Sequence, residues 1–105
     1  MKCYKLVDNT PVKCELDEID MKDKTLWYDD FSGVQVSTVF LVWDHSFGNG
    51  AQPVLFETMV FGGVFDDYQI RYNTYEEAEA GHKETCYMVN KISDDRQKKL
   101  NDLGI

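Results

Sequence analysis

The pattern of hydrophobic and polar positions is most informative in residues 35–63, where two apolar runs flank a polar segment containing Gly48 and Gly50. The runs cover residues 34–43 and 54–61, and both are rich in β-branched and aromatic residues. Such runs favour strands, and the connector between them contains turn-forming residues. The pattern predicts a central hairpin whose strands are covered on both faces.

Two further elements follow this hairpin. Residues 68–73 alternate, with Tyr68, Ile70 and Tyr72 on one face and polar side chains on the other, which predicts a strand with one wet side. At Thr74 the period changes, and Thr74 with Glu77 has the spacing of a helix capping box. The helix that starts there has an apolar stripe made of Tyr75, Ala78, His82, Cys86 and Val89.

The two ends of the chain have weaker patterns. Residues 3–8 and 12–16 predict an N-terminal hairpin around a turn at residues 8–11, and the charged segment 17–24 fits either an edge strand or a surface loop. Ser93 is a candidate cap for a short second helix at residues 94–103, whose few apolar residues predict fraying.

These elements predict an α+β fold with two layers. An antiparallel sheet with the central hairpin is packed on one face by a helix from the C-terminal half. A chain of 105 residues, 43% hydrophobic, is long enough for one domain with one core. We therefore expect a single domain over residues 1–105, with its core in residues 34–92.

Charge changes the range of partners that we consider. The formal net charge is -8, and no lysine or arginine occurs in residues 25–70, a segment that contains Asp29, Asp30, Asp44, Glu57, Asp66 and Asp67. This charge repels phosphate backbones, which disfavours direct nucleic-acid binding. It fits a soluble acidic monomer or small homo-oligomer, and it also fits a surface that docks on a basic protein.

Cysteine count and hydropathy indicate a compartment. Cys3, Cys14 and Cys86 are odd in number and lack CxxC spacing, so the sequence predicts neither a disulfide framework nor a zinc knuckle. The first 20 residues have no signal-peptide pattern, and no apolar run has the length of a membrane span. A reducing cytoplasm and no membrane association are expected.

Four polar residues near apolar elements are candidates for chemistry: Asp44, His45, Glu57 and His82. Carboxylates and imidazoles bind divalent metals, but no HExxH, HxH or DxD spacing is present. We favour a structural role over a metal or catalytic site, and we predict no catalytic residue and no cofactor. The glycines at 48 and 50 lack a nucleotide-binding motif, which excludes a phosphate loop.

His82 lies within the apolar stripe of the helix, where a neutral imidazole bonded to a buried partner is the usual arrangement. Glu57 is a candidate partner, and Arg71 is a second donor that Glu57 could use. Gly81 costs the helix about 1 kcal/mol relative to alanine and permits close approach to the sheet. Cys86 on the buried face is expected to be an inert thiol.

One pattern resembles a known family. The blocks VSTVFL, DHSFG and LFETMVFGG, followed by Arg71-Tyr72, Glu77-Ala78 and Gly81-His82, resemble small uncharacterised proteins encoded by tailed bacteriophages and prophages. The resemblance covers residues 36–89 and implies a phage or prophage origin and a bacterial cytoplasm. It implies no catalytic residue.

The sequence supports two functional hypotheses. The first is an accessory protein that binds a host or defence protein with a basic surface, in the manner of an anti-CRISPR inhibitor, without binding nucleic acid itself. Its candidate partner-binding residues are Asp29, Asp30, Asp44, His45, Phe47, Asp66 and Asp67. The alternative is a small metal-dependent hydrolase that uses Asp44, His45, Glu57 and His82.

Overall fold

The computed structural model describes residues 3–19, 23–46 and 52–104. It has the predicted α+β architecture, in which one helix packs on a four-stranded antiparallel sheet and a two-stranded hairpin forms a second sheet. The strands are β1 (Cys3–Val7), β2 (Thr10–Cys14), β3 (Thr25–Phe31), β4 (Val34–Phe40), β5 (Phe56–Phe61) and β6 (Gln69–Tyr72), and the helix is α1 (Tyr75–Asp102). A short 3₁₀ helix at Leu16–Glu18 follows β2.

The N-terminal hairpin is confirmed. Asp8 and Asn9 form its turn with φ angles of 50° and 65°, and positive φ at both positions is typical of the two-residue turn that suits twisted antiparallel strands. The hairpin is attached to the rest of the fold where the backbone N–H of Tyr4 donates to the carbonyl of Val42 at 2.8 Å.

The main sheet is a meander with the order β3-β4-β5-β6, so β4 and β5 form the predicted central hairpin. β4 stops at Phe40, earlier than predicted, and Val42 has a φ angle of 70° where the chain turns away. The sequence pattern predicts no strand at residues 25–31, whereas the structure has β3 there. Asp29 and Asp30 obscured it, because aspartate is depleted in strands.

Only one face of the sheet is covered by the helix. Val36 and Val60 face Val89 of α1 in one buried cluster, and Phe56 packs near Tyr75. On the other face Phe61 of the central strand β5 is 43% exposed, and Tyr28 of β3 is 58% exposed. The prediction that both faces of the central strands are covered is therefore wrong for this part of the sheet, because one helix provides only one covering layer.

The helix begins as the capping box predicts. The Thr74 hydroxyl accepts the Glu77 N–H at 3.1 Å, and the Glu77 carboxylate accepts the Thr74 N–H at 3.2 Å. The helix then continues unbroken to Asp102, so the separate second helix predicted from Ser93 is wrong. No glycine or proline occurs between Val89 and Asp102, and the chain has no local reason to stop at the serine. Within the described residues, no helix has both the length and the apolar character that crossing a membrane requires.

The connections of the meander divide the sheet into two ends. The β3–β4 turn and the β5–β6 loop share one end, which we call the turn end, and the β4–β5 connection lies at the other. The two turns touch: Gly62 has a φ angle of 91°, and a Cβ at this position would lie 2.9 Å from the carbonyl oxygen of Gly33. The turn end therefore brings together Gly33 and Gly62, which are 29 positions apart in sequence.

Candidate functional site

The site is centred on His82, which lies in the middle of α1 and is 4% exposed. Its Nδ1 lies 2.7 Å from the Thr38 hydroxyl of β4, and its Nε2 lies 2.8 Å from Oδ2 of Asp29 on β3. The imidazole thus links the helix to two adjacent strands. The sequence-based prediction of a hydrogen-bonded imidazole is confirmed, but its partners are Thr38 and Asp29, not Glu57.

The hydrogen bonds continue from Thr38 into the sheet. The Thr38 and Thr58 hydroxyls lie 2.5 Å apart, and the Tyr72 hydroxyl lies 3.1 Å from that of Thr58. An ionised carboxylate only accepts, so a neutral His82 must donate from Nε2 and accept at Nδ1. The hydroxyls then donate in one direction, from Tyr72 to Thr58, from Thr58 to Thr38, and from Thr38 to the imidazole, and every group has a partner.

The environment shifts the pKa values of the two ionisable groups next to the imidazole in opposite directions. The hydrogen bond from His82 lowers the pKa of the Asp29 carboxyl, more than partial burial raises it. Burial, with a smaller contribution from the Asp29 charge, raises the pKa of the Cys86 thiol to about 12. The Cys86 Sγ lies 3.5 Å from Oδ2 of Asp29, and the neutral thiol donates to the carboxylate. The raised pKa keeps Cys86 protonated near neutral pH when no metal ion is bound.

The order hydroxyl, imidazole and carboxylate is also the order of a nucleophilic triad. Thr38, however, is 0% exposed and is enclosed between the sheet and the helix. A substrate has no access to its oxygen, and the hydroxyl also bonds to Thr58. The arrangement therefore acts as a hydrogen-bonded brace between helix and sheet, and it does not support acyl transfer.

Gly81 explains how the helix comes close enough for these bonds. It is buried, and a Cβ built on it would overlap the hydroxyl oxygen and ring carbons of Tyr72. The tyrosine ring lies directly against the helix backbone at this point. The expected role of Gly81 in close approach is therefore confirmed.

The residues of the metal-dependent hydrolase hypothesis do not form one site. Among the described residues, the group that brings three potential ligand atoms within 4.8 Å of one another consists of Asp29, His82 and Cys86. Asp44 instead accepts the backbone N–H groups of Ser46 and Val54, at 2.8 and 3.0 Å, and so closes the β4–β5 connection.

Two other candidates have local structural contacts. His45 Nδ1 lies 2.7 Å from the carbonyl oxygen of Trp43. Glu57 lies on the sheet face opposite His82 and accepts from Arg71 at 2.9 Å and from Gln69. The prediction that Arg71 donates to Glu57 is confirmed, and the prediction that His82 is a partner of Glu57 is wrong. Adjacent residues of a strand point to opposite faces, so Glu57 faces away from the helix while the next residue, Thr58, faces it.

The predicted partner-binding residues fall into two groups. Asp29, Asp30, Asp66 and Asp67 are exposed and lie at or near the turn end. Asp44 and His45 lie at the opposite end and are half-buried, and Phe47 is outside the described residues. The six described residues therefore lie at two ends of the sheet, which β4 separates by roughly 20 Å.

Some parts of the brace were not predicted. Thr38 and Thr58 interrupt two apolar runs of the sequence, and they are directly opposite each other in the β4–β5 register. A signal was present, because a polar residue in each of two adjacent buried strands is expected to find a partner. Asp29 was predicted as a surface carboxylate, and its place next to His82 depends on the unpredicted β3.

No protein-family model, no curated protein and no solved structure matches this chain. The resemblance to small phage proteins stays a prediction from the sequence pattern.

The Asp29–His82 bond leads to a prediction about acid stability. The folded-state pKa of Asp29 is below its unfolded value, so its stabilising contribution is present above the unfolded pKa of about 3.9 and is lost as pH falls through the folded pKa. We expect Asp29→Asn to reduce the slope of unfolding free energy against pH in this acid range. Urea titrations from pH 5 to about 2 measure it.

Asp23→Asn is the matched control, because Asp23 also has a lowered pKa, caused by its hydrogen bonds with Thr25, away from the brace. Both variants should lose part of the acid slope. In double-mutant cycles, only Asp29→Asn should show a coupling energy with a second substitution at His82. An unchanged acid slope in Asp29→Asn would contradict the assigned role of the bond.

Proposed function

We propose that this protein acts by binding another protein through the open face of the sheet at the turn end. The observation that carries the proposal is a pair of exposed aromatic side chains next to carboxylates. Tyr28 is 58% exposed and Phe61 is 43% exposed. Exposed aromatic residues that have a polar border are typical of protein–protein interfaces.

The strand register places these residues on one surface. Asp30, Gln35 and Phe61 are paired across β3, β4 and β5, and they form the row nearest the turn end. The next row on the same face contains Tyr28, Ser37 and Met59. Two aromatic side chains and a methionine thus form the centre of this face, and Asp30 lies at its border.

The β5–β6 loop extends the border. Asp66 and Asp67 are exposed there, and Val64 between them and the sheet is 62% exposed. Asp66 accepts the Gly62 N–H at 2.7 Å and Asp30 accepts the Gly33 N–H at 3.0 Å, so both carboxylates are held by backbone. Among the described residues, none of the aspartates Asp30, Asp66 and Asp67 forms an ion pair. Their negative charge remains available to a partner.

The chemistry of this surface selects the class of partner. A negative border around an aromatic centre is complementary to a protein surface rich in lysine and arginine. Proteins that bind nucleic acid present such surfaces to phosphates, and a carboxylate-bearing protein that occupies them prevents that binding. The proposed activity is therefore inhibition of a nucleic-acid-binding host or defence protein, which agrees with the phage origin and bacterial cytoplasm expected from the sequence resemblance.

The test uses the triple variant Asp30→Asn, Asp66→Asn, Asp67→Asn. Asparagine keeps one oxygen, which can accept the backbone N–H, and removes the charge. At Asp30 it also removes the 3.3 Å bond that Oδ2 accepts from the Gln35 side chain. Immobilised wild-type protein should retain specific proteins from bacterial lysate at roughly 50 mM salt and lose them as salt screens the contact. The triple variant should retain at least about tenfold less, and double-stranded DNA should compete with the wild-type protein for the retained fraction.

A charge-matched control separates the turn end from the overall charge. The variant Asp8→Asn, Asp17→Asn, Glu84→Gln removes three exposed carboxylates elsewhere and should retain as much as wild type. Tyr28→Ala should weaken retention at every salt concentration, because its contribution is apolar. If both triple variants lose retention equally, net charge alone is the cause. If the wild-type protein retains no lysate protein in a salt-sensitive way, the proposal is wrong.

A further inference from the structure

Three side chains with metal-binding atoms meet beside the brace. Asp29 comes from β3, and His82 and Cys86 are four residues apart on the same side of α1. A carboxylate oxygen, an imidazole nitrogen and a thiol sulfur lie within 4.8 Å of one another. This cluster is independent of the open sheet face, because it lies between the sheet and the helix.

We propose that Asp29, His82 and Cys86 bind a divalent transition metal ion of the zinc class through Oδ2, Nε2 and Sγ. A fourth position is left for water. The donor set is one that zinc uses in proteins, and the sulfur ligand selects against magnesium and calcium. Carboxylate and thiolate together balance the charge of the ion.

The present distances require little movement for this geometry. Tetrahedral zinc with ordinary bond lengths places neighbouring nitrogen and oxygen ligands about 3.3 Å apart and oxygen and sulfur about 3.5 Å apart. The structure has 2.8 Å between Nε2 and Oδ2, and 3.5 Å between Sγ and Oδ2. A shift of the Asp29 carboxylate by about half an ångström brings the Nε2–Oδ2 distance to the tetrahedral value, and its side chain is 51% exposed. The third pair, Nε2 and Sγ, lies within 4.8 Å, and the Cys86 side chain closes the remaining difference by rotating about its Cα–Cβ bond.

The brace supplies the second layer of the site. A metal-bound histidine usually donates its other ring N–H to a fixed acceptor, which orients the ring. With a metal at Nε2, Nδ1 carries the proton and donates to the Thr38 hydroxyl, which lies 2.7 Å away. The hydroxyls then reverse, so that Thr38 donates to Thr58 and Thr58 donates to the Tyr72 oxygen, and the chain remains fully bonded.

Protons balance in this step. The Cys86 S–H bond breaks, the sulfur–metal bond forms, and the thiol proton goes to solvent. The imidazole loses its Nε2 proton to solvent and takes a proton at Nδ1 from Thr38. Thr38 takes one from Thr58, Thr58 takes one from Tyr72, and the Tyr72 hydroxyl takes one from solvent, so these transfers cancel. One proton is released per metal ion.

The test is a titration of the purified, reduced, chelator-treated full-length chain with Co²⁺, which substitutes for zinc and absorbs light when bound to a thiolate. We expect a thiolate–cobalt charge-transfer band that saturates at one ion per chain and is displaced by Zn²⁺. Zinc should also raise the melting temperature in a concentration-dependent way, because it binds only the folded site.

Variants identify the ligands. Cys86→Ser should abolish the charge-transfer band, and Asp29→Asn, a substitution at an exposed side chain, should weaken Zn²⁺ binding by at least about tenfold. Cys14→Ser is the matched control and should keep both the band and the affinity, since Cys14 lies opposite Cys3 in the N-terminal hairpin. A band that survives in Cys86→Ser, a band lost in Cys14→Ser, or no band at all would overturn the proposal.

Discussion

Replacing His82 with alanine should lower the free energy of unfolding by about 2–4 kcal/mol. The substitution removes a side chain that is 4% exposed and leaves a cavity next to Trp27, whose ring centroid lies 6.0 Å from that of the imidazole. It also removes the acceptor of the Thr38 hydroxyl proton in a place without access to water. For a domain of this size the melting temperature should fall by roughly 10 °C or more.

His45→Ala is the control for this prediction, because His45 is the second histidine and is half-buried, and its Nδ1 bonds to the nearby Trp43 carbonyl. It should cost about 1 kcal/mol. Both variants are measured by chemical and thermal unfolding of metal-free protein, so that a lost metal ion does not contribute. A His82→Ala protein as stable as wild type that has lost partner binding would instead make His82 a functional residue.

A double-mutant cycle separates the hydrogen bond from the cavity. Thr38→Val keeps the shape of the side chain and removes the hydroxyl that joins His82 to Thr58. If the brace acts as one network, Thr38→Val should cost less in the His82→Ala background than in wild type, by about 1 kcal/mol. Additive costs would mean that the two side chains stabilise the fold independently.

The sequence predicted the helix and its buried stripe because the information there is local. Thr74 and Glu77 satisfy each other's backbone groups within one turn, and the stripe repeats at the helical period. Ala78, His82 and Val89 are all buried as predicted. The end of the helix was less predictable, because Ser93 has the residue type of a helix cap although no glycine or proline between Val89 and Asp102 ends the helix.

The site was less predictable because its contacts join distant strands. Asp29 and His82 are 53 residues apart, and they meet only if β3 is recognised as a strand and is paired with β4 in the observed register. The same register places Glu57 on the open face, away from the helix. A shift by one residue would have exchanged the two faces, and the pattern of apolar residues in β5 alone does not exclude that shift.

The second large effect is expected at Gly81, where alanine should destabilise the protein by about 1–3 kcal/mol. Helix propensity alone predicts a gain of about 1 kcal/mol for this substitution. The added methyl group overlaps the Tyr72 hydroxyl and ring, so the ring must move and its 3.1 Å hydrogen bond to Thr58 is lost. Overpacking of this kind costs more than the helix gains.

Two further variants determine whether the overlap is the cause. Ala80→Gly lies at an exposed position one residue earlier in the same helix, so it measures the effect of helix propensity by itself. It should lower the free energy of unfolding by about 1 kcal/mol. In a Tyr72→Ala background the obstacle is absent, and Gly81→Ala should then stabilise the protein by up to about 1 kcal/mol, as helix propensity alone requires. This change of sign, measured as free energies of unfolding in urea, is specific to a helix held against Tyr72. The same loss in both backgrounds would show that the backbone of α1 at Gly81, and not the tyrosine ring, sets the requirement for glycine.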